Sequence, residues 1–239
     1  MAKPRTAWQV MPHQPLQKLS ENLWWAKAPI PGVSIDRTMT LVRLSDGRLL
    51  IWSAAALDDA SMQSIEAWGT PAFLIVPSAL HRLDAAPYKA RYPELCVLCP
   101  DGAKKAVAEV VAPDGSLQDF PGDPQVSFRA IAGINDKEGA MLVHSNDGTT
   151  VVLNDLLFNM PLPSDFATRL MVKMLGSAPG PRVSRAVKLL WCTDKPALRA
   201  SFEQLAQIPD LVRLIVAHDT ILHGADARAA LLSAAAQLT

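Results

Sequence analysis

The chain has few of the residues and patterns that reveal a chemistry at first sight. It holds three cysteines in 239 residues, Cys96, Cys99 and Cys192, too few for a disulfide framework. Cys96 and Cys99 match C-x-x-C, but they lie in a short apolar run, residues 95–100, that reads as a buried strand. An odd offset sends the two thiols to opposite faces of a strand, so core cysteines are expected rather than a redox or zinc pair. There is no P-loop, no G-x-G-x-x-G and no G-x-S-x-G, which removes the usual phosphate cradles and the serine nucleophile elbow. No run approaches the roughly 18 apolar residues of a membrane span, and no apolar stretch follows the basic N-terminal residues, so a cytoplasmic protein is expected. Neither sign of charge prevails, with 23 Lys and Arg against 23 Asp and Glu. Without a dense basic block or a basic stripe interleaved with aromatics, the sequence argues against nucleic acid and membrane surfaces as partners. No internal repeat is visible.

What is present is apolar sequence, 49% of the chain, enough for one sizeable core. Residues 1–21, with Pro4, Pro12 and Pro15 and little periodicity, read as an extended, loosely attached arm, and residues 22–239 as a single domain. Two pairs of β-rich runs flank Asp46-Gly47 and Asp147-Gly148, the strongest short-range hairpin pattern. Between them, residues 57–69 have helical spacing, residues 72–76 form a continuous apolar strand, and a strand at 95–98 and a helix at 101–110 follow. Ser164 caps an expected helix to Leu175 that turns Phe166, Leu170, Met171 and Met174 to the core and stops at Gly176. Helices at 183–192 and 197–208, a strand at 211–217 and an alanine-rich helix at 226–238 complete the chain. Two hairpins require antiparallel pairs, so this order fits an αββα sandwich of two mixed sheets better than a doubly wound parallel sheet.

Asp155 stands out within that frame. It sits between Val151-Val152-Leu153 and Leu156-Leu157-Phe158, where an ionised carboxylate is costly unless a partner, a metal or backbone N–H groups receive it. His81 and His218 also follow apolar strands, and His144 lies on the strand before Asp155. Imidazoles and a carboxylate at one sheet edge make an N/O ligand set for zinc, manganese or iron. The structural alternatives are hydrogen-bonded core histidines, and an Asp155 that caps a helix or pairs with Arg82, Arg182 or Arg185. Trp24, Trp25, Trp52 and Trp68 are expected in the core or in a pocket wall.

His144 to Thr149, followed by Val152-Leu153-Asn154-Asp155, resembles the metallo-β-lactamase superfamily, where a histidine-bearing loop precedes a strand that ends in a bridging aspartate. The strand ending at His218 is similar to that superfamily's last histidine-bearing strand, and the resemblance runs from about residue 23 to 238. It implies the αββα fold and metal-dependent hydrolysis. The superfamily's H-x-H-x-D-H falls on Pro77 to Arg82, with Pro77 and Ala79 in place of the first two histidines, His81 in place of the aspartate and Arg82 in place of the last histidine. The resemblance thus implies a degenerate site with two alternatives. In one, His81, His144, Asp155 and His218 hold a single zinc, iron or manganese ion, Asp155 and His144 act in catalysis, and the substrate is an unknown small molecule. In the other, the protein binds no metal, the guanidinium of Arg82 replaces the cation beside Asp155, and the fold serves as a non-catalytic binding or scaffold protein. A homodimer through the arm and the tryptophans is compatible with either.

Overall fold

The computed structural model describes residues 3–218 and 220–238. Seven strands form the first sheet in sequence order: β1 (Gln17–Ser20), β2 (Leu23–Pro29), β3 (Asp36–Arg43), β4 (Arg48–Trp52), β5 (Thr70–Ile75), β6 (Cys96–Cys99) and β7 (Gly115–Ser116). The first four pair antiparallel and the last four parallel. The second sheet contains β8 (Val126–Ala130), β9 (Gly139–Ser145), β10 (Gly148–Val152), β11 (Leu211–Ile215) and β12 (Leu222–His223), in the reverse order β12-β11-β10-β9-β8. Only β10 and β11 run parallel there. Both expected hairpins form at Asp46-Gly47 and Asp147-Gly148, and both glycines have positive φ, 85° and 126°, a backbone state that a glycine enters without steric cost.

Alternation along the strands sorts their side chains into three cores. Trp25, Trp52 and Ile75 from the first sheet meet Met141, Val143 and Val152 from the second, forming the layer between the sheets. The other face of the first sheet, with Met39, Leu41 and Ile51, buries Met62 and Ile65 of α1 (Asp59–Trp68), Tyr88 of α2 (Ala85–Arg91) and Val107 of α3 (Lys104–Ala108). α4 (Phe166–Leu175) stands apart from these cores. The outer face of the second sheet packs on α5 (Lys195–Ala206) and α6 (Gly224–Ala236) through Leu198, Phe202, Leu205 and Leu231. At about 1.5–3 kcal/mol per fully buried large apolar side chain, these four anchor the outer layer firmly. The architecture is the expected αββα sandwich. Cys96 and Cys99 lie on opposite faces of β6, one against the inter-sheet core and the other against the helices, and the four tryptophans are core or core-flanking residues.

Three expectations change. The N-terminal arm is extended but not loose: β1 adds a strand to the first sheet, Arg5 pairs with the buried Asp84, and the Trp8 indole N–H donates to the carbonyl of Leu57 at 3.1 Å. Residues 187–191 widen into a π-helical turn instead of continuing a regular helix. The face of α4 expected in the core is open to water, with Phe166 80% and Met174 66% exposed. α4 buries only Thr168 and Val172, one turn apart, and Val172 meets a small separate cluster with Met160 and Ala178. Helical spacing marks an apolar stripe but not what covers it, and the sheets had no uncovered face left for α4.

Candidate metal centre

Parallel pairing decides which strand ends meet. β4 and β5 run parallel in one sheet and β10 and β11 in the other, so the residues after all four collect at one edge of the sandwich. Ser53 follows β4, His81 lies in the loop after β5, Asp155 follows β10, and His218 follows β11. Asp36 joins them because β3, antiparallel to β4, begins at that edge.

At this edge the Nε2 of His81 lies 3.0 Å from Asp155 Oδ1, and the Nε2 of His218 lies 3.6 Å from the same oxygen. One ligand atom from each of the three residues falls within 4.8 Å of the others. The second Asp155 oxygen is occupied: Ser78 Oγ donates to Oδ2 at 3.1 Å, and the Leu80 amide donates to Ser78 Oγ. Asp155 therefore presents one oxygen to both imidazoles.

The far sides of the rings are fixed as well. His218 Nδ1 lies 2.8 Å from the backbone carbonyl of Asp36. A carbonyl can only accept, so Nδ1 carries the proton; Nε2 faces Asp155, donating to it when the ring is charged and offering a lone pair to an ion when the ring is neutral. His81 Nδ1 lies 3.0 Å from Ser53 Oγ. Ser53 has φ 59°, one of three non-glycine residues with positive φ among the described residues. This left-handed turn ends β4 and directs the hydroxyl at the ring. Phe158 stacks on His218 with centroids 5.3 Å apart and planes at 13°.

Beneath the cluster lies a carboxylate that the sequence did not bring forward. Glu138 is fully buried and accepts from the backbone N–H groups of Asn154 at 2.7 Å and Asp155 at 2.8 Å. It thereby ties the loop that carries Asp155 to the start of β9. Burial, and then the charge of Asp155, push its carboxyl well above the ordinary range, against the pull of those N–H groups. Asp155 moves the other way. Burial raises its carboxyl, but the charges and hydrogen bonds of His81 and His218 outweigh burial and hold it well below the ordinary range. Ser53, Ser78 and Glu138 were hard to find in the sequence because each acts through another residue, and the one hint was an acidic residue directly before the apolar run of β9.

These side chains fit a divalent ion. At metal–ligand lengths of about 2.0–2.1 Å, tetrahedral ligand atoms stand ~3.3 Å apart, close to the two nitrogen–oxygen separations found here. Three protein ligands leave one coordination position open, and each ring has the outer hydrogen-bond partner that orients a metal-binding imidazole.

Two expected members are elsewhere. His144 pairs with Thr149 at the opposite end of β10, because β9 is antiparallel to β10 and carries its last residues away from Asp155. Six residue steps, about 20 Å when extended, separate Thr149 from Asp155. His144 bonds Thr149 Oγ1 at 3.1 Å and lines a different cavity. Arg82 does not enter the site either. Its guanidinium turns outward to the carbonyl of Ala106 and to Glu109, 2.7 Å away, satisfying the C-terminal end of α3. The cation beside the cluster is Arg37, whose charge is met by the buried Asp84.

His81, Asp155 and His218 form part of the lining of a cavity of about 470 Å³. Its other walls are mainly apolar, among them Ile35, Leu83, Phe158, Met160, Met171 and Leu175.

No protein-family model matches the sequence, and no curated protein matches it significantly. Solved structures do match. A metallo-β-lactamase from Pontibacter korlensis superposes with a TM-score of 0.63 at 9% identity, covering 94% of this chain and 99% of that one. The DIM-1 metallo-β-lactamase gives 0.63 at 8% identity, covering 95% and 100%. The chain has the metallo-β-lactamase fold over nearly its whole length.

Proposed function

We propose that the protein is a hydrolase that holds one divalent metal ion, zinc, iron or manganese, on His81, Asp155 and His218. The observation that carries this reading is the convergence of two oriented Nε2 atoms on one oxygen of a buried carboxylate, at the wall of a cavity large enough for a small molecule. A metal in this position supplies Lewis acidity and acidifies a bound water, which is what hydrolysis of an ester, thioester, amide or phosphodiester requires.

The chain's own residues do the rest. The Asp36 carbonyl holds the His218 ring in the tautomer that frees Nε2, the Ser53 hydroxyl orients the His81 ring, and Ser78 occupies one Asp155 oxygen and leaves the other for the ion. Phe158 and the methionine-rich wall keep water from the imidazoles and present an apolar surface to a substrate. Arg37 is paired with Asp84, so the cavity favours a substrate whose body is apolar.

The decisive measurement is metal content by mass spectrometry, on protein purified without chelator or histidine tag and then supplemented with each metal. About one equivalent is expected. Less than about a tenth of an equivalent for zinc, iron and manganese alike overturns the reading and leaves a metal-free binding protein, its two imidazoles neutralising Asp155.

A further inference from the structure

Apart from the cavity, the least settled part of the surface lies between residues 162 and 192. Eight of the eleven exposed large apolar side chains among the described residues fall there, including Phe166 at 80%, Leu189 at 79%, Leu190 at 72% and Met174 at 66%. The two segments that carry them adjoin. Arg185 Nη1 donates to the carbonyl of Met174 at 3.1 Å, joining the end of α4 to the segment that follows, and Leu189 stands about one turn beyond Arg185.

The same stretch is basic. Arg169, Lys173, Arg182, Arg185 and Lys188 stand against Asp165 alone, a net charge of +4, and the remainder of this neutral chain carries −4. The cations crowd together: beyond its own burial, the Lys188 ammonium is lowered by the charges of Lys195, Arg182 and Arg185.

An occupant of this face must accept apolar side chains and positive charge at once. A second copy docked about a two-fold axis would press +4 against +4. An anionic lipid surface supplies both components, acyl chains for Phe166, Met174 and Leu189 and phosphates for the lysines and arginines. We propose that α4 and residues 185–191 dock on an anionic lipid surface. The other side of α4 supplies Met171, Val172 and Leu175 to the cavity wall, so docking brings the cavity to the lipid. The balanced charge of the whole chain argued against a membrane partner, but it concealed this basic stretch, which the rest of the chain cancels.

Vesicle flotation tests the proposal on the full chain, with phosphatidylcholine alone and with about 30% phosphatidylglycerol added, at about 0.1 M and about 0.5 M salt. Binding to the anionic vesicles is expected to be at least about tenfold stronger than to the neutral ones and to weaken in salt. Phe166→Ser with Leu189→Ser, and separately Lys173→Glu with Lys188→Glu, should each lower it about tenfold while the melting temperature holds, since none of the four side chains is buried. Equal or absent binding to the two vesicle types overturns the proposal, as does undiminished binding of both double variants. So does a dimer in sedimentation that Phe166→Ser with Leu189→Ser converts to monomer.

Discussion

At one end of β10, Thr149 donates its hydroxyl to Asp210 at 2.9 Å and receives His144 Nδ1 at 3.1 Å; at the other, Asp155 gathers His81, His218 and Ser78. The residue types are nearly the same and the physical situations are opposite. His144 and Asp210 are exposed, and water screens their interaction. Asp155 is 4% exposed, and little but its neighbours can answer its charge. An imidazole and a carboxylate become a candidate metal site when burial forces them to satisfy each other and their ligand atoms share one point. Proximity on neighbouring strands does neither.

Removing the carboxylate from each end should separate the two most sharply. Asp155→Ala strands two buried imidazoles and is expected to cost about 3–5 kcal/mol in urea unfolding, with metal content falling from about one equivalent to under a tenth. Asp210→Ala should leave metal content unchanged. Acidification probes the same contrast. The Asp155 carboxyl is depressed in the fold, so its ionised contact stabilises the protein above the ordinary carboxylate range of about pH 4 and is lost as pH falls toward the folded value. Between about pH 6 and pH 3 the melting temperature should therefore drop more for the wild type than for Asp155→Asn. Equal slopes would show that the contact is not formed.

Effects one shell out should be smaller. Ser53→Ala frees the His81 ring and is expected to weaken zinc binding about 10–100-fold in competition with a chelator, while circular dichroism stays unchanged. Glu138→Gln turns one amide N–H toward backbone donors that need an acceptor, at a cost of about 1–3 kcal/mol of stability. The smallest effect belongs to the exposed end: His144→Ala should change stability by less than about 1 kcal/mol and metal content not at all. Loss of metal in that variant would undo the distinction between the ends.

Much of the fold was legible before the structure, because hairpin turns and apolar strands are local features. Asp46-Gly47 and Asp147-Gly148 marked the antiparallel pairs, and the run through Ile75 marked a strand covered on both faces. Three of the four expected ligands also came together, since a polar residue after an apolar strand is visible one residue at a time. His144 misled because it too sits beside such a strand, but on an antiparallel neighbour whose end points the other way. α4 misled because its stripe of Phe166, Leu170 and Met174 has the spacing of a core helix without a core to meet.

The sequence by itself determined the layers, the hairpins and the isolation of Asp155 among apolar residues, because backbone preference and hydrophobic period act over a few neighbouring residues. Only the tertiary structure decided which histidines reach that carboxylate, that Arg82 turns away, and that the apolar stripe of α4 is left open to water. Those outcomes depend on strand direction and on what is left uncovered once the sheets close, and neither is a property of any short segment.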